Sequence, residues 1–176
     1  MTALILFLFF CQALGAFIGV VTAAWGEILY IGAVREGKEI DHARREHLRL
    51  IGHSLRFGMT LSLMASFFLV VLSYALHTSP QPALTASYWM FIVFTLLIIA
   101  SSWALARKKI SFALGSAALL TAWWLLAYLT LGRLPVGTFS SAIALYIVLT
   151  AVVYAALRFV RFFVLDSAMK RRLPKP

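Results

Sequence analysis

Five stretches of this chain are each apolar for about the twenty residues that a helix needs to cross a hydrocarbon layer, and they leave little of the 176 residues for anything else. They cover roughly 4–34, 57–76, 87–106, 111–132 and 138–157. Such runs are too long and too continuous for spanning strands, which alternate apolar and polar residues over about ten positions. Breakers fall between them: Pro80 and Pro82 separate the second run from the third, and Gly132, Pro135 and Gly137 separate the fourth from the fifth. With 62% hydrophobic and 12% charged residues and a mean hydropathy of +0.93, the chain far exceeds what a soluble core requires. The expected fold is an all-α integral membrane protein, one bundle of about five transmembrane helices with no separate soluble domain. No Lys or Arg precedes the first run, so it reads as a retained helix and not as a cleaved signal.

The net charge of +10 is confined to short segments between the runs, which argues for membrane phosphates and against nucleic acid as its partner. Fifteen of the sixteen Lys and Arg residues fall in three places: between the first and second runs, between the third and fourth, and after the fifth. Only Arg133 lies on the other side. By the positive-inside rule the N-terminus is outside and the C-terminus cytoplasmic, in a plasma or inner membrane, with anionic headgroups against the basic rim. The single cysteine, Cys11, excludes an internal disulfide and reads as a small packing residue.

Within the first run, Cys11, Gly15, Gly19 and Ala23 recur every fourth residue and therefore share one helix face. Lipid tails provide no hydrophobic drive for helices to associate, so a smooth face that admits a second backbone is a source of packing energy. Gly15, Gly19 and Ala23 are the expected docking residues, for another span of the same chain or for a second copy or membrane partner. Glu27 continues this row toward the cytoplasmic end. It is either a wetted interfacial carboxylate on an overlong helix or an inward-facing group that needs a partner.

The second span is expected to begin as a cytoplasmic helical extension over 41–56, capped by Asp41. Its residues His42, Glu46, Arg49, His53, Arg56 and Thr60 then form one polar stripe, with Leu48, Ile51 and Leu55 opposite. Arg56 stands at the start of an uncharged run and Glu27 at the corresponding end of the first, which makes them the expected ion pair. His53 would be its pH-sensitive neighbour. With Thr60 and Arg158 they outline a cytoplasmic vestibule, whose far side Arg161 could share.

Three kinds of function fit these residues. The first is binding or translocation of an ion or small solute through that vestibule. The second is a non-catalytic membrane subunit or assembly factor, suggested by the short loops and the absence of a P-loop, C-x-x-C or H-E-x-x-H motif. The third is haem or metal binding, for which His42, Glu46 and His53 are the candidate ligands, although they share one helix and span more than the close i, i+4 pair of a helical metal site. No cofactor follows from the sequence, and nothing in it requires an enzyme.

Overall fold

The structure, a computed structural model, describes residues 2–35, 48–49, 51–53, 55–77, 85–134 and 138–172. Five helices long and apolar enough to cross a membrane account for most of them. We number them α1 (Thr2–Arg35), α2 (Thr60–Ala75), α3 (Ala86–Ala106), α4 (Phe112–Thr130) and α5 (Phe139–Arg172). A π-helical turn, Leu55–Met59, leads into α2, and the apolar stretch of that span begins at Ile51. Of the expected 41–56 extension, residues 41–47 lie outside the described residues, while 48–49 and 51–53 are helical.

Helix starts follow local chemistry. The Thr85 hydroxyl accepts a hydrogen bond from the Tyr88 amide at 3.3 Å and the Ser111 hydroxyl accepts one from the Leu114 amide at 3.3 Å, each satisfying a backbone donor at the first turn. The turn from α3 to α4 is tight, with Lys108 in the left-handed region at φ 56°. Where the sequence places the end of the fifth span near residue 157, the helix in fact continues to Arg172. Arg158 and Arg161 end the uncharged run without breaking the helix, because Arg has high helix propensity.

α4 is the centre of the bundle, packed on α1, α3 and α5, and α1 also packs on α2 and α5. The fully buried side chains Trp123, Phe94, Ile98, Leu119 and Leu126 come from α3 and α4 and fill the middle of the assembly. α5 is peripheral: Ala142 is the one fully buried residue among its described side chains.

The small-residue row of α1 docks within the same chain. A Cβ added at Gly15 would meet the Gly58 carbonyl oxygen at 2.6 Å and the Ser62 amide nitrogen at 2.8 Å. One added at Gly58 would meet the Gly15 carbonyl oxygen at 2.7 Å, so the two backbones cross in direct contact. Gly19 lies against the indole of Trp123, which a Cβ there would overlap, and Ala23 is buried beyond it. The partner surface on the second span is itself a row of small residues, Gly58, Ser62 and Ser66, spaced by four and all buried. The Ser62 hydroxyl donates to the Gln12 carbonyl at 3.1 Å, adding an interhelical hydrogen bond to the contact.

Leu at position 15 or 19 is therefore expected to force α1 away from its neighbours. Gly15→Leu and Gly19→Leu should each cost about 1–3 kcal/mol or more, read as a lowered melting temperature in detergent. Phe17→Leu and Val21→Leu, at exposed positions of the same helix, should change it little.

Candidate functional site

Glu27 is buried at 4% exposure, and its partner comes from the far end of the chain. The Arg161 Nη2 donates to Glu27 Oε2 at 2.6 Å and to the Ser116 hydroxyl at 2.8 Å. Three helices thus meet at one guanidinium: the end of α1, the start of α4 and the latter part of α5. Aromatic rings wall the site, with the Arg161 guanidinium carbon 5.0 Å from the centre of the Tyr30 ring and 5.1 Å from that of Phe112. Those two rings pack against each other at 4.7 Å, tilted by 43°. Arg161 Nε is buried and makes no hydrogen bond. The guanidinium is well suited to this position because it can bond a carboxylate and a hydroxyl while its faces lie on aromatic rings.

The partner expected from the sequence was Arg56, and the structure corrects this. Helix register is set by Gly15 opposite Ser62 and Gly19 opposite Gly58. Counting antiparallel from those contacts puts Arg56 level with Val21, about six residues and so ~9 Å short of Glu27 along α1. Arg56 is exposed, as are Arg49, His53 and Thr60. The described part of the polar stripe, 49–60, therefore faces away from the bundle, and the opposite face, with Ile51, Gly58 and Met59 buried, packs inward. His53 Nδ1 lies 3.0 Å from the Arg49 carbonyl, and its ring stacks on Phe57. Arg158 is exposed too, so of the two arginines in the last helix it is Arg161 that reaches the carboxylate. A vestibule lined by His53, Arg56, Thr60 and Arg158 is not formed.

The metal candidates His42 and Glu46 lie outside the described residues. Among the described residues no three His, Cys, Asp or Glu side chains come together as a metal site.

A cavity of about 350 Å³ opens at the other end of the bundle. It is bounded by the first third of α1 (Phe9 and Gln12), the middle of α2 (Ser66), the start of α3 (Tyr88 and Phe91) and the end of α4 (Thr130). Along α4, Ser116 and Thr130 stand fourteen residues apart, so the cavity mouth is about 21 Å from the ion pair. The buried layer around Trp123 lies between the two. Sequence reasoning missed this cavity because Gln12, Ser66 and Tyr88 come from three different spans and form no motif. Ser116 was missed for the same reason.

No family model, no curated protein and no solved structure matches this chain.

Removing Arg161 would take its 2.6 Å hydrogen-bond donor from the buried Glu27 carboxylate, and removing Glu27 would leave the Arg161 guanidinium without that carboxylate. Glu27→Gln and Arg161→Gln should each destabilise the protein by about 3–5 kcal/mol, and the double variant should lose much less than their sum. Ser116→Ala should cost roughly 1.5–3 kcal/mol. A cycle pairing Glu27→Gln with Arg56→Gln should be additive. Thermal or denaturant unfolding of the purified variants measures all of these.

Proposed function

We propose that this chain is a multi-pass membrane protein, N-terminus outside and C-terminus cytoplasmic, that binds a small solute in the cavity at its non-cytoplasmic end. The observation that carries the proposal is the cavity itself. Its volume is at the lower end of the range for small-molecule sites, it is formed by four helices, and its walls are apolar with a few polar groups between them. The orientation rests on the basic residues: the end of α1 with the segment between α1 and α2, the turn from α3 to α4, and the latter part of α5 with the residues after it carry fifteen of the sixteen, and the cavity lies at the opposite ends of the helices.

The same arrangement favours binding over passage. A solute leaving the cavity toward the cytoplasm would meet first the packed Trp123 layer and then a neutralised ion pair. The Glu27–Arg161 site serves in this proposal as the closed cytoplasmic end of the bundle, tying the peripheral α5 to α1 and α4.

Two measurements test the proposal. Reporter fusions at Gln81 and at Lys175 should report opposite sides of the membrane, and the same side for both would overturn the orientation. In a Cys11→Ala background, Ser66→Cys should react with N-ethylmaleimide on the order of tenfold faster than Ser102→Cys, because both serines are buried but only Ser66 borders the cavity. Equally slow reaction at both positions would mean that no solute reaches the cavity.

A further inference from the structure

We infer that the ligand of this cavity is an uncharged amphipathic molecule with a flat or extended apolar body and one hydrogen-bonding head, held by Gln12 and Ser66. This rests on the binding role proposed above and adds the chemical class. None of the ten residues lining the cavity is Asp, Glu, Lys, Arg or His. An ion taken into such a space would lose its hydration and gain no counter-charge, a cost of several kcal/mol that hydroxyls alone do not offset. Of the sixteen Lys and Arg residues only Arg133, just after α4, is at the cavity end in sequence, and it is exposed and not among the lining residues.

The walls define the body of the ligand. Phe9, Phe91 and the Tyr88 ring, with Leu69 and Leu129, give the cavity aromatic and branched surfaces suited to an apolar group. Its volume is about that of a dozen liquid waters at ~30 Å³ each, enough for a one- or two-ring molecule.

Two polar groups define the head. Ser66 is 3% exposed and lines the cavity, and its hydroxyl has no hydrogen bond to any described residue. By contrast, the other α2 serine of the row, Ser62, spends its hydroxyl on the Gln12 carbonyl. Gln12, one helical turn before the Gly15 contact, also lines the cavity, and its side-chain amide has no hydrogen bond to any described residue. Thr130 and Thr85 are engaged elsewhere, Thr130 donating to the Ala127 carbonyl and Thr85 capping α3. On the α1 and α2 side an amide, which both donates and accepts, thus stands level with a hydroxyl that does the same, while Ser87 and Tyr88 bring further hydroxyls from the start of α3. A hydroxyl or carbonyl head satisfies both.

The experiment uses the Cys11→Ala, Leu129→Cys protein in nanodiscs of neutral phosphatidylcholine, because Leu129 lines the cavity outside the head-group contact, with Ser140→Cys, at an exposed position outside the cavity, as the comparison. Three naphthalene probes of one shape are compared, carrying a hydroxymethyl, a carboxylate or an aminomethyl group. The hydroxymethyl probe should slow N-ethylmaleimide reaction at residue 129 several-fold and leave residue 140 unaffected, and the two charged probes should do neither. Adding Gln12→Leu should abolish the protection while residue 129 remains reactive. Equal protection by a charged probe would overturn the chemical class. Protection by none of the three at a residue 129 that still reacts would do the same while leaving an accessible cavity in place. Protection unchanged by Gln12→Leu would remove the assigned head-group contact. Failure of the cavity itself is distinguished by a residue 129 that does not react at all.

Discussion

The direct contact between the backbones of α1 and the second span at Gly15 and Gly58 sets the register on which the other features depend. Between helices in lipid there is no gain from removing apolar surface from water, so association relies on close packing and interhelical hydrogen bonds. The two rows of small residues allow both, as the Ser62 to Gln12 bond shows. Once Gly15 lies on Gly58, Gly19 must face Trp123, which locks α4 into the same core. The contact also carries Gln12 to the level of Ser66 at one end of the bundle and takes Glu27 beyond the reach of Arg56 at the other.

The buried pair of Glu27 and Arg161 solves a different problem. Most of the surface of α5 is unpacked, and dispersion against its few inward residues gives little to fix its position. A guanidinium bonded to α1 and to α4 ties that helix at one defined height. Such a pair contributes less net stability than its short distance suggests, because both ions lose hydration when buried. Its effect is specificity: any displacement of α5 pulls the guanidinium away from the carboxylate and the hydroxyl to which it donates.

The two ends of the molecule are therefore chemically unlike. One has charges that satisfy each other within an aromatic wall and leaves little polarity for a ligand. The other has an uncharged cavity with hydrogen-bonding capacity to spare. The packed layer of Trp123, Phe94, Ile98 and Leu126 isolates one from the other.

Much of the architecture was legible in the sequence, because helices in an apolar run must satisfy every backbone group internally and so announce themselves by length and hydropathy. The five spans and the α1 docking row at Gly15, Gly19 and Ala23 follow from local spacing and residue size, whereas the same spacing left Glu27 open between the interface and the bundle, where it is buried. The matching row Gly58, Ser62 and Ser66 was equally visible, since it needs the same spacing of four. What local pattern could not decide was depth and rotation between helices. His53, Arg56 and Thr60 do form a stripe, but whether a polar stripe faces the bundle or its surroundings depends on which opposite face fits a neighbour better, and Gly58 and Ser62 won that competition. The choice of Arg161 over Arg56 or Arg158, and the cavity assembled from four helices, exist only once interhelical register is set, because they join residues as far as 134 positions apart in the chain.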